Sequence, residues 1–152
     1  MSAPRPVHIL VLSGPNTNLY GLDPHGPYGA LTLDDIAQAC RAGAQAQGGT
    51  VDFRQSNSEG ELVDWVQQAR GTADGIVINA GSLSYTSIAL RDALAAIAAP
   101  AIQVHVSNVF TREPFRHHSP LSSVVTGCIF GLGPDGYAQA VAALIAAIRR
   151  AD

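Results

Sequence analysis

Five short, largely apolar runs alternate along this chain with segments of helical periodicity, and that alternation constrains its fold more than anything else. Val7–Leu12 reads as a buried parallel strand, ended by Ser13-Gly14-Pro15-Asn16. A Gly/Pro-rich loop from Asn18 to Leu31 follows. Thr32 opens a helix, with Asp35 in capping-box position, that runs through Ile36, Ala39 and Cys40 until Gly48-Gly49 stops it. Val51–Gln55 is the second strand, and Ser58 with Glu61 opens a helix around Leu62, Val63 and Val66. Gly75–Asn79 is the third strand, ended by Ala80-Gly81-Ser82. Ser84 to Ala98 is read as one helix, broken by Pro100. Ala101–Val106 is the fourth strand, Ser107 to Ser119 a polar loop and Val124–Phe130 the fifth strand. Tyr137 to Arg149 is the closing helix, with its basic residues where the helix dipole favours them.

Strands that alternate with helices demand a parallel sheet, because each crossover must return the chain to the same end. Right-handed crossovers then favour an α/β, flavodoxin-like arrangement: a five-stranded parallel sheet in the order 2-1-3-4-5 with helices on both faces. With no linker, repeat or low-complexity tract, the 152 residues read as a single domain, 1–152. Such sheets bind ligands at the carboxyl ends of the strands, where the winding reverses between strands one and three. Topology alone therefore points to Asn16 and Asn79.

Composition narrows the partners. The net charge of −3 offers no electrostatic footprint for nucleic acid, and no polybasic block suits a membrane surface. The charged fraction of 14% is low against roughly 25% for a typical domain, so apolar surface is expected to be buried between subunits of a homo-oligomer. Cys40 and Cys128 show neither metal spacing nor a disulfide framework, which suits a reducing cytoplasm. The first apolar run is too short for a signal peptide, and the last helix is too short to span a bilayer.

Each chemical motif has a plainer reading beside it. Gly131-Leu132-Gly133-Pro134-Asp135-Gly136 spells a dinucleotide fingerprint but follows the last strand, so tight strand-to-helix packing explains it better than a cofactor. His105 shares one face of strand four with Ser107, opposite Val104 and Val106; a structural histidine and a catalytic one are both open there. Arg112 and Arg116 lie in a loop with His117 and His118, which suits either a solvated loop or capture of a carboxylate. The two histidines lack an apparent third metal ligand. Tyr28 ends the Gly/Pro-rich loop, as an aromatic plug or as part of a mobile lid. Arg91 and Asp92 read most simply as exposed helix charges.

Several of these pieces, in one order along nearly the whole chain, resemble the type II 3-dehydroquinate dehydratases. Ser13-Gly14-Pro15-Asn16 is similar to the family's opening signature, and Phe53-Arg54-Gln55-Ser56-Asn57-Ser58-Glu59-Gly60-Glu61 to its second-strand motif. Asn79-Ala80-Gly81, Thr86-Ser87-Ile88-Ala89-Leu90-Arg91-Asp92, His105-Val106-Ser107-Asn108 and Phe115-Arg116-His117-His118-Ser119 follow, then Val125-Thr126-Gly127 and Gly131-Leu132-Gly133. The resemblance implies a lyase of the shikimate pathway, in aromatic amino acid biosynthesis, acting on a small cyclic keto acid without cofactor or metal. It implies that Tyr28 as tyrosinate removes a proton next to a ketone, that His105 protonates the departing hydroxyl, and that Asn16 positions a water. Asn79, Tyr85, Val106, Ser107, Arg112 and Arg116 are expected around the substrate. Asp92 is expected to reach a neighbouring subunit's site in a trimer-based dodecamer.

Three positions depart from the family: Asp23 replaces an arginine of the lid, Tyr85 a substrate-binding histidine, and Gln103 a glutamate that orients the catalytic histidine. Free tyrosine titrates near 10, so a base of this kind needs a cation beside it, and an aspartate there works against it. Arg112, His25 or a shifted lid register are the available compensations. The departures leave two other readings open: a paralogue acting on a different cyclic ketone in specialised metabolism, and a non-catalytic oligomeric binding protein.

Overall fold

The computed structural model describes residues 2–152. Five parallel strands form one sheet in the order β2-β1-β3-β4-β5: β1 (Val7–Ser13), β2 (Gly49–Gln55), β3 (Gly75–Asn79), β4 (Ala101–His105) and β5 (Gly127–Phe130). The helices are α1 (Leu33–Ala46), α2 (Glu59–Gln68), α3 (Leu83–Thr86), α4 (Ile88–Ile97) and α5 (Asp135–Ala151). This is the α/β arrangement that the crossover rules favoured.

The period of two along each inner strand builds two cores. In β1, Val7, Ile9 and Val11 pack with α1 and α5, while Leu10 and Leu12 pack with α2 and α4 on the other face. Each fully buried aliphatic side chain contributes about 1.5–3 kcal/mol, so inner strands apolar on both faces are held firmly. Ser13 lies opposite both Gln55 and Asn79, which brings the carboxyl ends of β1, β2 and β3 level. The site needs that alignment.

Helix signals were largely sound. Thr32 and Asp35 form the reciprocal capping box, and Ser58 Oγ accepts the Glu61 backbone N–H at 3.3 Å. Several ends shift by one or two residues, as β4 ending at His105 and α5 spanning Asp135–Ala151 show, and three boundaries differ for a visible reason. Ser84 to Ala98 is two helices, because Ser87 leaves helical geometry (φ −89°, ψ 95°) and caps α4 by accepting the Leu90 N–H at 3.0 Å. β5 begins at Gly127 rather than Val124, since Pro120–Ser123 turns as a 3-10 segment and the chain joins the sheet only after it. Gly48, at φ +68°, ends the turn after α1, whereas Gly49 already belongs to β2.

Candidate active site

The pocket sits where the loops after β1 and β3 meet. The Gly14 N–H donates to the Asn79 carbonyl at 2.7 Å, and a Cβ on Gly14 would lie 2.5 Å from the Ala80 carbonyl oxygen. Only glycine lets the two backbones approach so closely. Asn16 takes a left-handed conformation (φ 69°), which asparagine tolerates better than most residues. Its backbone N–H donates to Asn57 Oδ1 at 2.9 Å, and the residue lies exposed at the pocket wall.

Tyr28 lines the pocket from the Gly/Pro-rich loop. Its ring stacks on Tyr20 at 4.8 Å between centroids, and its hydroxyl oxygen accepts from Arg112 Nη1 at 2.9 Å. The same Nη1 reaches Ser107 Oγ at 3.3 Å. A guanidinium donor aimed at a phenol oxygen binds the phenolate more strongly than the phenol, because the charge-assisted hydrogen bond is the stronger one. Asp23 is exposed, accepts the His25 backbone N–H at 3.1 Å, and does not line the pocket. Of Arg112 and His25, the two cations the sequence offered beside Tyr28, Arg112 has the contact.

Beneath the lid lies a buried polar network. Asn79 Nδ2 donates to Tyr20 Oη at 2.9 Å and to Tyr137 Oη at 2.7 Å, while its Oδ1 accepts the Gly81 N–H at 3.1 Å. Tyr137 Oη and Ser13 Oγ are 2.7 Å apart. Burial pushes the Tyr20 hydroxyl up to about 12 and that of Tyr137 well above the ordinary range, so both are neutral dipoles that hold Asn79 rigid. Sequence reading missed Tyr20, Tyr137 and Ser13.

His105, at the end of β4, lies between the stacked ring of Tyr85 (5.8 Å) and the edge-on ring of Phe130 (5.0 Å). Burial, then Arg116 and Arg112, lower its pKa to about 4, so the imidazole is neutral near pH 7. Gln103, fully buried on the same strand face, brings Nε2 to 3.0 Å from His105 Nε2. Arg116 donates from Nε to Glu113 Oε2 at 2.6 Å and lies over the Tyr85 ring at 5.7 Å.

One cavity of about 110 Å³ is thus bounded by Asn16, Tyr28, Asn79, Tyr85, His105, Val106, Ser107, Arg112 and Arg116. Of the residues named from sequence, Asp92 is not among them; it is exposed and pairs with Arg91 at 2.9 Å. Among the described residues no group of three or more His, Cys, Asp or Glu is placed to hold a metal ion. In the Gly131–Gly136 turn the close packing is at Gly131, whose N–H donates to the His105 carbonyl at 3.1 Å and whose Cβ would meet that of Asn108 at 3.0 Å, whereas Gly133 has open space. Two cations beside neutral hydrogen-bonding groups suit a small anionic substrate with hydroxyls, and an arginine-backed phenol in the same cavity as a neutral imidazole suits proton transfer at carbon.

Known proteins are close to this chain in sequence and in fold. The family model described as "Dehydroquinase class II" matches residues 7–145. The 3-dehydroquinate dehydratase of Azorhizobium caulinodans is 55% identical over 136 residues, covering 90% of this chain and 92% of that protein. The 3-dehydroquinate dehydratase 2 of Pseudomonas aeruginosa is 53% identical over 133 residues, covering 88% and 90%. The crystal structure of type II dehydroquinase from Propionibacterium acnes superposes with a TM-score of 0.88 at 41% identity, covering 95% of this chain and 99% of that one.

Proposed function

The chain belongs to the class II dehydroquinase family, and on that premise we propose that it is a hydro-lyase converting 3-dehydroquinate into 3-dehydroshikimate and water. Tyr28, as phenolate, takes a proton from the carbon beside the ketone, and the bonding pair becomes the double bond of an enolate. Return of the charge re-forms the ketone, makes the ring double bond and breaks the bond to the hydroxyl, which leaves as water with a proton supplied through His105. The proton gained by Tyr28 balances the one that departs, so the site is restored when it passes back. Asn16 holds a water against the enolate oxygen, and Arg116 with Ser107 and the Val106 backbone receives the carboxylate and hydroxyls. No electrons are exchanged and the ketone is its own electron sink, so the scheme includes neither cofactor nor metal.

The observation that carries this reading is the 2.9 Å contact from Arg112 to the Tyr28 oxygen, inside the pocket that His105 also lines. It supplies a cation where the lid itself has Asp23. Purified protein mixed with 3-dehydroquinate should show the conjugated enone growing in the ultraviolet, and Tyr28→Phe should abolish it. A native protein that leaves 3-dehydroquinate unchanged but turns over another cyclic ketone would instead identify a paralogue.

The same reading includes a homo-oligomer, a trimer-based dodecamer, in which Asp92 reaches a neighbour's site. The exposure of Ile88, Phe110, Phe115 and Leu132, all between 54% and 62%, supports burial by further copies. Cytoplasmic location is also part of the proposal, supported by two free cysteines, Cys40 buried and Cys128 exposed. Among the described residues no helix is long and apolar enough to cross a membrane.

A further inference from the structure

Four polar groups behind His105 form a chain whose donors and acceptors have only one consistent assignment. The Ser84 carbonyl can only accept, so Ser119 Oγ, 2.7 Å away, must donate its single hydrogen there. Ser119 Oγ is then left as an acceptor towards Gln103 at 3.0 Å, which fixes the NH₂ end of that amide against it. The other end, Oε1, accepts from Ser122 Oγ at 2.7 Å. The same NH₂ group stands 3.0 Å from His105 Nε2. A donor on both sides of that contact would repel, so Nε2 must carry a lone pair.

We propose that Gln103 is a positioning residue that holds His105 as its neutral Nδ1–H tautomer, making Nδ1 the ring atom that presents a proton to the departing hydroxyl. The tautomer follows from the hydrogen bonds alone; its use rests on the dehydratase reading above. Nδ1 has no protein partner, and among the described residues the one buried side-chain polar atom without a partner is Ser84 Oγ, so Nδ1 is not sealed in the core but open to the space that His105 lines. Charging the ring would set two donors against each other at Gln103. The remaining neighbours agree: Arg112 and Arg116 face the ring from the loop after β4, Tyr85 from α3 and Phe130 from β5, and none of them is an anion. The Gln103 carboxamide therefore does more than fill space. It selects which nitrogen is protonated.

Ring-nitrogen NMR of the intact protein, labelled with the heavy nitrogen isotope at histidine and assigned by subtraction of His105→Gln, tests this without substrate. At pH 7 the native His105 should show a protonated Nδ1 and an unprotonated Nε2. In Gln103→Glu the carboxylate accepts rather than donates, so Nε2 should become protonated. In Ser119→Ala, which places no charge in the core, the amide is held only through Ser122, whose hydroxyl can accept as well as donate, so the amide can turn and an Nε2–H population should appear. A native Nε2–H or imidazolium signal would overturn the proposal, as would an unchanged tautomer in both variants. Absence of turnover with 3-dehydroquinate would overturn the dehydratase reading but leave the NMR result standing.

Discussion

His105 should make this protein acid-sensitive in a defined window. The buried imidazole has a folded-state pKa of about 4 against an ordinary value of 6.5. The unfolded chain therefore binds the extra proton between these values, and stability must fall as pH drops from 6.5 towards 4, then level off for this group. At 1.36 kcal/mol per pKa unit the whole change amounts to about 3 kcal/mol, of which about 1.4 kcal/mol is already lost at pH 5.5. Asp35, Asp74 and Glu113 are held below their ordinary values of 3.8, 3.8 and 4.5, by Thr32, by Arg5 and by a backbone N–H together with Arg116; their contributions begin to fade at the acid end of this window and do so in the native protein and the variant alike, so they cancel in the comparison. Urea unfolding of the native protein and of His105→Gln at fixed protein concentration, in steps from pH 7.5 to about pH 4.5, separates the histidine from any constant cost of the substitution. The native protein should lose about 2–3 kcal/mol more than the variant over that range. Parallel losses in the two proteins would refute the burial argument, and with it the neutral imidazole.

Arg112→Ala should lower kcat/KM for 3-dehydroquinate by about 10²-fold, with the larger part in kcat, since it removes the cation on the Tyr28 oxygen; steady-state kinetics at neutral pH check it. Tyr20→Phe removes the acceptor of one Asn79 amide hydrogen and should cost about 1–3 kcal/mol, read as a fall in the urea midpoint. Gly14→Ala should yield little folded protein by near-ultraviolet circular dichroism, because its Cβ would meet the Ala80 carbonyl at 2.5 Å with backbone on both sides.

Much of the scaffold was legible because its causes are local. Two-faced apolar strands, the Thr32–Asp35 capping box and Pro100 each act within a few residues, and the crossover rule then leaves few sheet orders. The Ser87 break was less legible because the glutamate at its cap is not its helix neighbour: Ser87 Oγ donates to Glu59 Oε1 of α2 at 2.6 Å. In the pocket, Asn16 and Asn79 followed from topology, since strand ends are fixed by the strands. The network under Asn79 did not, because Ser13, Tyr20 and Tyr137 lie far apart in sequence, and a tyrosine that anchors a network has the same letter as one that fills a core.

The lid shows why a single-residue departure is a poor guide by itself. Asp23, on the loop that carries Tyr28, read in the sequence as adverse to a phenolate base, yet it turns back onto its own loop at His25. The cation on the Tyr28 oxygen comes instead from Arg112, on the loop anchored to the end of β4. On the proposed chemistry this changes when the base is activated. A cation on the lid would travel with Tyr28 whether the lid were open or closed. A cation on the frame reaches the phenol only when the lid is down, so the phenolate forms where water is already excluded and where its anion interacts most strongly with Arg112. Tyr20, stacked on Tyr28 and tied to Asn79, joins the loop of the proposed base to the carboxyl end of β3 and so holds the phenol where Arg112 can reach it.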